Sequence, residues 1–443
     1  MSKKIGGIQM VKEAEVQMRK RNMKLFPTYK KLAWDYLFFY TINFLFLTQV
    51  KHINPADVVL IDAFYSLFGI MAQIPAAFVV EFFGRRNSII LANIINCLYM
   101  VIVIFSTNLF NLLTAEIMSA IAFAIKETAE PSLLNESIPK SKSKDKIFAK
   151  INQKGASGYY FINAISTILA GWLYEINPYI PISLSLATTV LVTIISIFFI
   201  EPIKKKKINF KEISISDNLK EIESSFKFIL KSERIKSLLV YTSIIGGLTC
   251  TLGTYEVSLL EELNVSGGIM GMIFAGLGII SSLATKKQEQ FHQKFKNKSL
   301  SIIGIVIISS CIISGILGVF ANNIKYLIIG IVIAYVIKYI VTSIYYNLAE
   351  KYLRNFANEE IDTKIYTVKN LLKSISSAIV GIFASFLLDR MSAAYCMIIL
   401  GIIFMILMIL AIRYMKTRVG LNPDKYSKEE RKYDELKQTE NAQ

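Results

Sequence analysis

The sequence predicts an all-α membrane protein of twelve transmembrane helices, and three observations carry that prediction. Hydrophobic residues make up 53% of the 443 positions and gather into long runs, each near the roughly 20 residues that cross a bilayer as a helix. Forty-three of the fifty Lys and Arg residues fall in alternate gaps between those runs or within three residues of the run ends that border them. The intervening gaps and their bordering run ends hold only Lys51, Lys325 and Arg390, which is the asymmetry that separates cytoplasmic from external loops.

The runs occupy 32 to 51, 56 to 82, 87 to 107, 109 to 138, 155 to 176 and 179 to 201. A second set occupies 237 to 263, 267 to 285, 299 to 320, 323 to 352, 364 to 388 and 392 to 415. These lengths suit helices and exceed the strands of outer-membrane barrels. The first run follows a polar, basic stretch and has no small-residue cleavage site behind it, so it reads as an uncleaved anchor. With positive charge inside, both termini are expected in the cytoplasm.

The expected organisation is therefore a cytoplasmic segment over 1–31, a six-helix bundle over 32–201, a linker over 202–236, a second six-helix bundle over 237–415, and a polar cytoplasmic tail over 416–443. The linker opens with Pro202 and four consecutive lysines, Lys204 to Lys207. It then spaces Phe210, Ile213, Leu219, Ile222, Phe226, Ile229 and Leu230 among charges, mostly in helical steps of three and four. That pattern predicts a helix lying on the cytoplasmic face.

Composition excludes several functions. A formal charge of +17 is accounted for by loops that meet anionic lipid, and no basic, aromatic-rich module stands outside the runs to bind nucleic acid. Cys97, Cys250, Cys311 and Cys396 lie within apolar runs, so neither a disulfide framework nor a metal site is expected. His52 and His292, the only histidines, fall in expected loops. Histidine-based hydrolysis and metal or cofactor chemistry thus lack raw material.

The second and third runs are joined by Ala77-Phe-Val-Val-Glu81-Phe-Phe-Gly84-Arg85-Arg86. A carboxylate beside a glycine turn and two guanidiniums can latch neighbouring helices through charge-assisted hydrogen bonds, or can serve only as a positive-inside anchor. In its place between spans two and three of twelve, this stretch resembles the signature loop of the major facilitator superfamily, Gly-x-x-x-Asp-Arg-x-Gly-Arg-Arg or Lys. Glu81, Gly84, Arg85 and Arg86 match; Ala77 replaces the first glycine and Phe82 the first arginine. The end of span four, Ala129-Glu130-Pro131-Ser132-Leu133-Leu134-Asn135-Glu136-Ser137-Ile138, is similar to a sequence of one bacterial branch of that superfamily, as are Tyr36-Leu-Phe-Phe-Tyr and Leu45-Phe-Leu-Thr-Gln-Val. The resemblance covers residues 30 to 415. It implies two six-helix bundles rocking about a central cavity, a cytoplasmic gate of Glu81, Gly84, Arg85, Arg86 and Glu136, Glu81 facing the start of span eleven, and Arg85 reaching Glu136. Two departures weaken any drug–proton antiport assignment: Glu116 stands where many members carry an arginine in span four, and span five has no Gly-Pro pair.

Charges within the runs are the remaining candidates, because an ionisable group at mid-membrane depth is costly and defaults to function. Lys126 and Lys338 sit near the centres of spans four and ten, while Lys369 and Lys373 lie nearer the cytoplasmic end of span eleven, where lysines snorkel. Lys126 and Glu130 are four apart and can pair along their helix. Glu116 and Glu127 share a face of span four, which leaves Glu127 as the expected partner of Lys338. Tyr335 and Tyr339 flank Lys338, and Tyr255 and Glu256 sit in the outer half of span seven. Asp35, Asp62, Glu261, Glu262 and Asp389, close to span ends, are assigned no role.

The reading that follows is a secondary active transporter in a bacterial cytoplasmic membrane. It would act as a monomer, move a small solute by alternating access, couple to protons, and favour efflux over uptake. No Gly-x-x-x-x-Gly-Lys-Ser/Thr loop is present to bind ATP. Two alternatives stay open on sequence: a multispan enzyme acting on lipid-linked substrates, and a sensor without transport.

Overall fold

The computed structural model describes residues 2–139, 144–202, 233–295, 298–356 and 359–416, with Glu223 and Lys227. Among the described residues the chain is helical and contains no strand. The long helices are α1 (Ser2–Ala33), α2 (Pro55–Phe83), α3 (Arg85–Phe105), α4 (Leu109–Ser137), α5 (Lys144–Ile176), α6 (Tyr179–Ile197), α7 (Glu233–Glu262) and α8 (Gly267–Thr285). A short α9 (Gln288–Phe295) precedes α10 (Ser299–Ala321), α11 (Leu327–Phe356), α12 (Glu359–Leu388) and α13 (Ala393–Lys416). His292, expected in a loop, lies in α9. The linker helix expected over 202–236 and the tail beyond 416 fall outside the described residues, apart from 202, 223, 227 and the start of α7.

Among the described residues, ten helices are long and apolar enough to cross a bilayer. They correspond to expected spans two to four and six to twelve. The two others depart for a physical reason. Span five lies in α5, whose Lys154, Tyr159, Tyr160, Asn163 and Ser166 dilute its hydropathy. The stretch expected as span one is not one helix: α1 ends at Ala33, residues 34–39 are irregular, and a 3-10 turn (Tyr40–Ile42), an α-turn (Asn43–Leu45) and a π-turn (Phe46–Val50) follow. These two weaker spans pack on each other, with the stems of Lys30 and Lys31 over Gly155 and Gly158 and Trp34 stacked on Tyr159 at 5.7 Å.

The expectation that 1–31 stands outside the bundle needs correction. Met18, Asn22, Phe26, Tyr29 and Ala33 are buried, and their steps of four, four, three and four put them on one face of α1. Lys and Arg on the other faces masked that stripe in the sequence. Asn22 ties helix ends together, donating to the Ser137 hydroxyl at 2.9 Å and the Ile200 carbonyl at 2.8 Å and accepting from the Ile200 N–H at 2.9 Å.

The chain divides into two compact units. Unit 1 comprises 1–52, 67–214 and 267–275; unit 2 comprises 53–66, 215–266 and 276–443. The core of unit 1 gathers Phe26 and Tyr29 with Ile89, Ala122, Ile125, Leu133, Val192 and Phe199. In unit 2, α7 is the most enclosed helix, burying Leu238, Tyr241, Ile245, Leu248, Leu252 and Tyr255. Gly315 of α10 allows α13 close, since a Cβ there would meet the Ala394 carbonyl at 2.7 Å and Ile398 at 2.8 Å.

A helix N-terminus leaves backbone N–H groups without partners, and here carboxylates from other parts of the chain supply them. In unit 1, Glu201 accepts from the Arg85 and Arg86 N–H groups at 2.8 and 2.7 Å, and Glu175 accepts from the Gly268 N–H at 2.8 Å. In unit 2, Glu262 accepts from the Ala393 N–H at 2.8 Å. Negative charge at these ends also complements the helix dipole. Gly84, which precedes α3, takes φ 86°, and a Cβ there would lie 2.6 Å from Glu201 Oε1. Gly84→Ala is therefore strained twice over, by the left-handed backbone and by the displaced cap. Its thermal unfolding in detergent should show a loss of about 2 kcal/mol or more; an unchanged midpoint would disprove the capping account.

Candidate functional site

In unit 1 the charged cluster is built where α1 stops. The last residue of α1, Ala33, points its carbonyl at Lys126, whose ammonium donates to it at 2.5 Å. A helix end keeps unpaired carbonyls and a partial negative charge, so the cation satisfies both needs. Lys126 also stands 4.0 Å from Glu130 Oε1, one turn along α4. The pairing expected within α4 is present but long, because Glu130 has nearer partners on α1. Lys30 meets Glu130 Oε2 at 2.5 Å, and the Tyr29 hydroxyl donates to Oε1 at 2.9 Å. Asn93 of α3 donates to the Tyr29 oxygen at 3.2 Å. Lys126, Glu130, Tyr29 and Asn93 are all buried, which in an apolar interior requires this degree of pairing.

Asp35 belongs to the same place, although its position near a span end offered no reason to assign it a role. It lies in the irregular stretch after α1, accepts from the Tyr36 N–H at 2.7 Å, and lies within electrostatic reach of Lys126. The Tyr36 hydroxyl donates to Asn96 at 2.9 Å and shares a hydrogen bond with Ser119 at 2.9 Å. A small polar cavity lies among Asp35, Tyr36, Asn93, Asn96, Phe123 and Lys126, with room for about one water molecule.

Unit 2 holds a second buried pair. Lys338 of α11 donates to Glu256 Oε1 of α7 at 2.6 Å, with side-chain exposures of 7% and 1%. This replaces the expected Lys338–Glu127 pair; Glu127 is exposed on α4. The miss has a geometric cause. Lys338 is eleven residues into α11 and Glu256 six from the end of α7; the five-residue difference is about 7 Å of rise, which a lysine stem covers. Tyr335 donates to the Glu256 backbone carbonyl at 3.3 Å, and the Lys338 ammonium sits 4.3 Å from the Tyr339 ring centroid. Glu256 Oε2 is buried without a hydrogen-bond partner. Tyr255 points away, its hydroxyl donating to the Ala384 carbonyl at 2.6 Å.

The remaining candidates fall elsewhere. Glu116 accepts from the Tyr99 hydroxyl at 3.0 Å, apart from Glu127. At the start of α3, Arg85 meets Glu136 at 2.7 Å, the pairing that the resemblance implies, and Arg86 donates to the Ile197 carbonyl at 2.9 Å. Glu81 is half-buried at the end of α2 and Lys373 is exposed on α12. Sequence reasoning missed Glu201, which looked like the mere end of span six, and missed Lys30 and Tyr29, whose positions were assigned to the cytoplasmic segment.

A sequence profile of the Major Facilitator Superfamily matches residues 33–358. The chain belongs to the major facilitator superfamily. No curated protein sequence matches it. Among solved structures the superfamily chain is similar to a mutant of the nucleoside transporter NupG, at 11% identity and a TM-score of 0.67, over 90% of this chain and 100% of that one. It is also similar to a POT family transporter in complex with 5-aminolevulinic acid, at 13% identity and 0.63, over 91% and 96%. A third similarity is to a bacterial homolog of the human lysosomal transporter Spinster, in an inward-facing and unoccupied conformation, at 13% identity and 0.66, over 90% and 97%. At these identities the likeness is one of fold.

The superfamily chain's buried pair in unit 2 is testable by a double-mutant cycle. Removing one partner leaves a buried charge, so Lys338→Met and Glu256→Leu should each destabilise by about 3–5 kcal/mol, whereas the double variant should recover most of that loss. Additive losses on thermal unfolding would mean that the two groups do not interact.

Proposed function

We propose that the protein is a secondary active transporter of a bacterial cytoplasmic membrane, carrying a small ionic or amphipathic solute by alternating access with proton coupling, in the direction of export. The observation that carries the proposal is the placement of charge. A superfamily chain buries Lys126 and Glu130 in one unit and Lys338 and Glu256 in the other, and an apolar bundle that served only as a scaffold would be more stable with hydrophobic residues in those places. Charges kept at such cost mark solute and ion paths.

The positive-inside pattern supports twelve crossings with both termini cytoplasmic, spans one and five being completed by the broken first span and by α5. Arg85–Glu136 and the Glu201 cap support a cytoplasmic gate around Gly84. The similar structures transport nucleosides or belong to the POT and Spinster families by their names, and that variety leaves the choice of solute to the side chains.

The test is solute-driven proton movement in proteoliposomes loaded with a pH-sensitive dye and challenged with a panel of small amines, acids and nucleosides. At least one compound should move protons above the level of empty liposomes, and Lys338→Gln should cut that rate by about tenfold or more. A panel without any proton-linked response would count against proton-coupled transport.

A further inference from the structure

The break in the first span already accommodates an alkylammonium ion, and that ion is tethered. Lys126 presents its ammonium to the Ala33 carbonyl at 2.5 Å, to the partial negative charge at the end of α1, and to Asp35. The Phe123 ring centroid is 5.0 Å away, within cation–π range. Leu32 and Val192 supply apolar wall to the cavity alongside. Phe38, in the same irregular stretch, takes φ 68°, a costly conformation for a bulky residue and one that clusters at binding sites.

Lys126 also has a second partner within reach, since Glu130 Oε1 stands 4.0 Å off. The charged groups that act on Lys126 are Lys30 and Asp35 from the first span and Glu130 from its own helix. Tyr29 bonds Glu130, Tyr159 of α5 acts on Asp35, Tyr36 lines the cavity, and among the described residues α3 and α6 offer it the neutral Asn93, Asn96 and Thr189. With Asp35 and Glu130 against Lys30 and Lys126, the cluster is formally neutral. A further positive charge entering this low-dielectric site would cost several kcal/mol. Lys30 sits directly on Glu130, so the proton on Lys126 is the charge that can leave.

We propose that the break at 34–39 is the recognition site for a protonated primary amine on the solute, which takes the place of Lys126 at the Ala33 carbonyl and Asp35 and drives one proton off Lys126. The amine enters as an ammonium ion, and Lys126 gives its proton to water and remains as a neutral amine beside Glu130. One positive charge enters and one leaves, and no carbon bond is made or broken. The inference rests on the transporter reading only in taking the ligand to be the solute; amine binding and proton release are equilibrium properties of the purified chain.

The experiment uses the full chain in detergent with Trp172→Phe, so that Trp34 is the single tryptophan. Trp34 lies under the Lys30 ammonium at 4.7 Å and against Tyr159, and so reports on the break. Titration with n-butylammonium chloride at constant ionic strength should give a saturable fluorescence change. A pH dye in weak buffer should record about one proton released per site, and the apparent Kd should fall about tenfold per unit rise in pH between about 6 and 8. Sodium and tetramethylammonium, which have no N–H to donate to Ala33, should do neither. Lys126→Gln should bind n-butylammonium without proton release and without pH dependence. Absence of a saturable wild-type response, binding without proton release, or an equal response to sodium or tetramethylammonium would each overturn the proposal. None of these readings involves flux, so failed transport with intact exchange would count against the transporter reading alone.

Discussion

A helix that ends inside an apolar interior must find partners for its last carbonyls, because no water is there to take them. Helix α1 meets that condition at Ala33, and the ammonium of Lys126 meets the need. The rest of the unit 1 charge network follows from that contact. Lys126 requires a counter-charge, which Glu130 and Asp35 provide, and Glu130 in turn holds Lys30 and the Tyr29 hydroxyl. The polar residues of α3 complete the set, Asn93 through Tyr29 and Asn96 through Tyr36. Packing and electrostatics are thus coupled: the small residues of α5 that admit the stems of Lys30 and Lys31 also hold α1 where its end can meet Lys126.

The same physics recurs with opposite sign at helix N-termini. Glu201, Glu175 and Glu262 each answer unpaired N–H groups of another helix. Among the described residues, these charges and those of the buried clusters therefore divide into those that complete backbone hydrogen bonding and those that pair only with another side chain. Lys338 and Glu256 are the buried example of the second kind. Helix completion does not explain them, and the proposed transport role draws on them for that reason. Lys126 belongs to both kinds, bonding the Ala33 carbonyl and standing beside Glu130, and in the proposed amine exchange structure and ligand recognition compete for it.

Much of this was legible in the sequence. The periodic distribution of Lys and Arg pointed to the ten clearly apolar helices and the superfamily layout, and the loop around Gly84 pointed to the Arg85–Glu136 contact. Lys126, Glu130, Lys338 and Glu256 stood out because charge is rare in apolar runs. What the sequence concealed was depth and direction. Basic residues on three faces of α1 hid the buried stripe from Met18 to Ala33, so the first helix was begun too late and its interruption was invisible. Asp35 looked like a span end for the same reason. The partner of Lys338 was misassigned because residue counting locates Cα atoms, whereas a lysine's charge lies a full stem length away.

The central claim, that Lys126 holds the end of α1 at the break, is tested most directly by amide hydrogen exchange on wild type and Lys126→Met in detergent. The account predicts exchange at least about tenfold faster across 30–40 in the variant, with α11 around Lys338 unchanged. Equal protection of 30–40 in the two proteins would contradict it.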